Sequence, residues 1–173
     1  MKRNIVGFLL VLLLVSFTSA AAGDGYNSHP RTLMGNMSGE AIGDWVSGAC
    51  LDVTGAPWQT LTHVSGSVMH VGLSEFYMSH CSTLDGMQLV NGAGTLVAAN
   101  GDEIWVTYTA DLISPFTPPP VVLVYQTHFV VVGGTGRFED ASGTFLGLIS
   151  VTVESLTAPI LPIDANIAGN ITY

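Results

Sequence analysis

The chain has 173 residues, 48% of them hydrophobic and 10% charged, with a formal net charge of −9, a length that fits one domain of ordinary size. Only 4 Lys and Arg stand against 13 Asp and Glu, too few cations to neutralise phosphates, which excludes nucleic-acid binding and a polybasic membrane patch. The low charge and the abundance of Val, Leu and Ile exclude disorder, because burying that much apolar surface outweighs the cost of ordering the chain.

Residues 1–22 read as a secretory signal peptide. Lys2 and Arg3 precede an apolar run from Ile5 to Phe17, and Ala20 and Ala22 then hold the spacing of an A-x-A cleavage site. The run is shorter than the roughly 20 residues a spanning helix needs, which favours cleavage over a retained anchor. No later segment is helical and apolar enough to span, so no transmembrane helix is expected in the mature protein. Cleavage leaves Arg31 and Arg137 as the cations and predicts a secreted protein, extracellular or periplasmic. In such a compartment the even pair Cys50 and Cys81 points to one disulfide; the alternative is two separate buried thiols.

Residues 23–44 are rich in Gly, Asn and Ser without sustained periodicity, and read as a flexible amino-terminal arm. The packed domain is expected over 45–173. From Trp45 onward Gly, Pro, Asn or Asp interrupts the chain at short intervals, and no segment holds an apolar i, i+3, i+4, i+7 face for three turns. That pattern argues an all-β sandwich or barrel. Strands are predicted at 45–53, 66–78 and 87–91. Two more, 93–99 and 103–111, flank Asn100-Gly101, a dipeptide suited to a type I′ hairpin turn. In the second of these, Ile104, Val106, Tyr108 and Ala110 share one face. The proline-rich 114–120 must be a stiff connection. Residues 121–132 form the longest candidate, with Leu123, Tyr125, Phe129 and Val131 on one side and an apolar opposite side as well. The glycine-rich 133–143 turns the chain into a partner strand at 144–153, and 165–173 closes it.

The order SGSVMHVG (66–73), GTLVAANGDEIWVTYTADL, FVVVGGTGRFEDASGTFLG and a closing GNITY resembles secreted bacterial-type proteins with an allene oxide cyclase-like barrel, a shape related to dirigent proteins and, more distantly, to lipocalins. The resemblance covers most of 60–173, and GGTGRF…ASG is its most specific part. It implies an eight-stranded antiparallel barrel, assembled as a homotrimer in the plant relatives. No motif matches the plant cyclase's substrate-positioning residues or the dirigent acid pair, so no catalytic residue is assigned. If the strands close a barrel, the faces with the larger aromatic load belong inside, which places Tyr108, Tyr125, Phe129 and Phe145 in the lumen as candidate ligand-binding residues.

Other constellations favour structural roles. GGTGRF lacks the Gly-Lys-Ser/Thr and following helix of a phosphate loop, and Glu139 stands where a GxGxxG motif needs its last glycine. Arg137 is expected to form a local ion pair holding that turn. His63, His70, His80 and His128 fall on different predicted strands with no metal-ligand spacing, so neither a metal nor another cofactor is expected. Cys81 and His80 would point to opposite faces of a strand, which excludes a nucleophile pair. The leading functional reading is a non-catalytic barrel that holds a small apolar molecule or serves as an extracellular assembly module. The alternatives are an isomerase-, cyclase- or dirigent-like enzyme confining a lipid or phenolic intermediate, and an outer-membrane barrel. Apolar residues on both faces of 121–132 predict self-association through the outer face.

Overall fold

A computed structural model describes residues 29–44, 48–155 and 157–173; the predicted signal peptide lies outside them. Eight strands, β1 (Arg31–Asp44), β2 (Gln59–Val68), β3 (Gly72–Ser82), β4 (Gln88–Ala98), β5 (Glu103–Leu112), β6 (Val121–Gly134), β7 (Ser142–Val153) and β8 (Ile160–Thr172), form a closed barrel in sequence order. Every neighbouring pair is antiparallel, and β8 returns to β1. Closure leaves no sheet edge with unpaired backbone groups. The expected all-β, eight-stranded antiparallel barrel is therefore the architecture observed.

The first correction is at the amino terminus, where residues 31–44, expected to be an arm, form β1. Its inward positions alternate Leu33, Met37 and Ala41 with Gly35, Gly39 and Gly43, so glycines mask the period-2 signal. They are there because β1 approaches β2 closely. A Cβ on Gly39 would stand 2.1 Å from the His63 carbonyl oxygen, and one on Gly35 2.8 Å from a Val68 methyl.

The strand predicted at 45–53 is not one: residues 45–47 lie outside the described residues, and Leu51–Thr54 form a short helix, α1. The strand predicted at 66–78 is instead a hairpin, with β2 and β3 joined by a turn at Met69–Val71. No Asn-Gly or Asp-Gly marks that turn; His70 itself takes the left-handed conformation (φ 66°). Conversely, the strands predicted at 87–91 and 93–99 are one strand, β4, whose register shifts between Leu89 and Gly92 at a bulge where Asn91 has φ 52°. The Asn100-Gly101 hairpin also differs from the type I′ expectation. Only Gly101 has positive φ, and Gly101 N–H donates to the Ala98 carbonyl at 2.9 Å, which makes a three-residue loop ending in a left-handed glycine.

Cys50 and Cys81 are bonded, with Cα atoms 5.5 Å apart and a separation of 31 in sequence. Closing a loop of that length stabilises the fold by roughly 3–4 kcal/mol on the chain-entropy model. Cys81 is buried on the outside of the wall, and the bridge ties the β1–β2 connection to it.

The end of the barrel formed by the β2–β3, β4–β5 and β6–β7 connections is capped. Phe138 is fully buried there and meets Tyr173 edge-on at 4.7 Å. Arg137 does hold this end, but its ion-pair partner is Asp102 of the neighbouring hairpin (Nε to Oδ2 3.7 Å) rather than an acid of its own turn. It also donates to the Val71 carbonyl at 2.9 Å and covers the Phe138 ring. Gly136 is required in this arrangement, since it has φ 57° and a Cβ would strike the Asp102 carboxylate.

Candidate functional site

The alternation of β5, β6 and β7 points Tyr108, Tyr125, Phe129 and Phe145 inward, and all four are buried. They do not share one role. Phe129 stacks on Phe145 (centroids 4.5 Å apart, planes at 17°) and packs against Phe76 and Tyr108 at 5.5 and 5.1 Å. This aromatic layer fills the middle of the lumen. Glycines facing inward make room for it: a Cβ on Gly92 would lie 2.6 Å from the Tyr108 ring, and one on Gly94 or Gly147 within 2.9 Å of Phe76 or Phe129.

Beyond the layer, toward the end carrying the disulfide, the lumen is left open. A cavity of about 190 Å³ is lined by side chains from all eight strands, including Ala41, Met78, Leu89, Leu123, Ile149 and Ile163. Tyr108 and Tyr125 line its wall, whereas Phe129 and Phe145 lie beneath it. The described residues that line it include no Asp, Glu, Lys or Arg. Larger depressions, such as the one lined by Met34, Leu146 and Leu148, lie on the outer face of the wall.

The polar groups of the cavity are neutral: hydroxyls of Thr60, Thr62, Ser82, Tyr108, Tyr125 and Thr127, and the imidazole of His80. Tyr125 donates its hydroxyl to the Gly86 carbonyl at 3.0 Å, holding the β3–β4 connection at the rim. Tyr108, lying flat over Gly92, crosses β4 to reach β3. Its hydroxyl donates to the Ser79 carbonyl at 3.2 Å and stands 2.8 Å from Nδ1 of His80. Desolvation raises the pKa of both tyrosines, so both remain neutral donors. The same cause lowers His80 from 6.5 to about 4, so its imidazole is uncharged at neutral pH. Thr127, also among the lining residues, is fully buried and its Oγ1 has no hydrogen-bond partner among the described residues.

Sequence reasoning set His80 aside as one of four scattered histidines. The structure separates it from the others: His63 stacks on Tyr77 outside the wall at 4.6 Å, His128 is exposed, and His70 occupies a turn at the capped end. Among the described residues no cluster of three metal-ligating side chains forms. The signal that singles out His80 is the alternation Ser74, Phe76, Met78, His80, which becomes visible once β3 is recognised as starting at Gly72. Thr127 likewise continues the inward series of Leu123, Tyr125 and Phe129.

The cavity is thus a small, partly open, uncharged chamber with a largely apolar wall and an oriented histidine, suited to holding a neutral molecule and not to stabilising an ion. No protein-family model and no curated protein matches the chain.

Proposed function

We propose that this protein is a secreted container for one small, mainly apolar molecule, held in the open half of the barrel. The observation that carries the reading is the division of the lumen. An eight-stranded barrel is just wide enough to be filled by side chains or to hold one ligand, and here aromatic rings fill one half while mainly small and aliphatic residues, with Tyr108, Tyr125 and His80, line a chamber of about 190 Å³ in the other. A chamber of about 150 Å³ accommodates a benzene ring, which sets the scale of the guest. The resemblance to allene oxide cyclase-like and dirigent barrels supports the same reading, and the Cys50–Cys81 bridge supports an oxidising compartment.

Water, rather than lipid, surrounds the barrel in this reading. On the outer wall Glu40, Glu75, Asp111 and Asp164 are exposed within strands, where a lipid-facing barrel carries an apolar band. The outer face of β6 and β7 is more apolar, with Val130, Leu146 and Leu148 each nearly half exposed. Self-association through this face is part of the proposal, with a trimer favoured by the resemblance. Residues 31–44, being a strand of the barrel, cannot cover it.

The test is a thermal-shift and fluorescence screen of the purified protein with fatty acids, terpenoids and single-ring phenolics. The expected result is a binder that raises the melting temperature of the wild type and loses that effect in Ala41→Leu, which places a larger side chain in the chamber. Absence of any binder, or binding indifferent to Ala41→Leu, overturns the container reading.

A further inference from the structure

The hydrogen bonds around His80 determine which polar group the chamber accepts. The Ser79 carbonyl can only accept, so the contact at 3.2 Å consumes the single proton of the Tyr108 hydroxyl. The 2.8 Å contact between that hydroxyl oxygen and His80 Nδ1 must then be donated by the imidazole. Both bonds exist together only in the Nδ1–H tautomer, which leaves Nε2 as a bare acceptor. Nε2 has no hydrogen-bond partner among the described residues, on a side chain that lines the cavity. Tyr108 is itself fixed by the space over Gly92, so the ring of His80 is oriented by packing as well as by hydrogen bonding.

We propose that the chamber is selective for an uncharged, single-ring compound bearing a hydroxyl, and that the hydroxyl donates its proton to Nε2 of His80. This deepens the container reading and rests on it. An ether or hydrocarbon of equal size leaves the acceptor without a partner. A carboxylate presents only acceptors to a bare nitrogen and finds no cation among the described lining residues. Discrimination therefore comes from one unpartnered acceptor on the chamber wall, the kind of site that rejects analogues lacking the matching donor. The neutral state of His80 at pH 7, which follows from its desolvation, keeps Nε2 free for this role.

The experiment compares phenol, anisole, toluene and benzoate by calorimetry on the purified protein at pH 7, alongside nitrogen-15 NMR of the imidazoles. Phenol is expected to bind about tenfold more tightly than anisole or toluene, with benzoate showing no binding. The His80 signals are expected to report the Nδ1–H tautomer, with the Nε2 resonance moving when phenol is added. His80→Phe is expected to reduce phenol to the affinity of anisole. Equal binding of phenol, anisole and toluene, or an Nε2–H tautomer in the free protein, overturns the selectivity while leaving the container standing. Binding of none of the probes and of no member of the wider screen removes both. The NMR measurement is made on the wild type, so the proposal remains testable even if His80→Phe fails to fold.

Discussion

His80 couples the chamber to acidity in a direction that follows from its burial. An unfolded histidine takes up its proton near 6.5, whereas this one does so near about 4. Between those values the unfolded chain holds more protons, so stability rises with pH through that window and is lost as the pH falls through it. The change is on the order of 3 kcal/mol if the whole shift is realised. Asp85 acts in the same sense but lower on the scale, because hydrogen bonds from Thr83 and Met87 hold its pKa below the usual 3.8. Urea unfolding of the wild type at pH 4.5 and 7 is expected to show the loss, and His80→Phe is expected to show a much smaller difference between the two conditions. An equal loss in the variant would assign the acid sensitivity to other groups.

Among the elements, β4 shows how a strand is shaped by what must pass over it. Its bulge at Asn91 and the bare backbone of Gly92 allow the Tyr108 ring to lie across the strand and meet His80 on β3. A methyl group at position 92 would sit 2.6 Å from three ring atoms, well inside contact distance, and the ring is held between Phe129 and the wall. Gly92→Ala is therefore expected to destabilise the protein by about 1–3 kcal/mol, the range for overpacked cores, and to break the hydrogen bond to His80. Denaturant unfolding measures the first effect and the imidazole NMR signals the second. A variant as stable as the wild type would show that Tyr108 has room to move. At the capped end, Gly136 plays a comparable part, with φ 57° and the Asp102 carboxylate packed against it.

At the scale of the molecule, two surfaces remain to be accounted for once the core is built, one inside and one outside. The inner surface is the chamber. The outer one runs over β6 and β7 into β8 and β1, where Val130, Leu146, Leu148 and Met34 are exposed among uncharged residues such as Gln126 and Asn166. A chain with net charge −9 resists close approach of its own copies over most of its surface, and an uncharged apolar face is where that resistance is least. Light scattering at micromolar concentration is expected to show an oligomer, and Leu146→Asp is expected to shift it toward monomer while changing the stability of the fold by no more than about 0.5 kcal/mol, as for an exposed site. A monomeric wild type would reject self-association.

Much of the architecture was legible because it follows from period and punctuation: β5, β6, β7 and most of β8 are runs of strand-forming residues bounded by turn residues. The inward faces of β5 and β6, and hence the burial of Tyr108, Tyr125 and Phe129, follow from period 2 together with the aromatic load of one face, and the Cys50–Cys81 pairing from cysteine count and expected compartment. Where glycine is dictated by a neighbouring strand, the same residues read as loop. Gly35 and Gly39 made β1 resemble an arm, and Gly92 split β4, because close approach between strands is a property of the closed sheet and leaves no periodic trace in one of them. His70 concealed the β2–β3 turn for the opposite reason, taking a left-handed conformation without glycine. The chamber itself was beyond the reach of the sequence. Aromatic load says which faces point inward, but whether four rings plug the lumen or line a void depends on their levels along the barrel axis, and those are set by strand register and closure. Only the folded barrel stacks Phe129 and Phe145 beneath the cavity, leaves Tyr108 and Tyr125 beside it, and brings Tyr108 across β4 to His80.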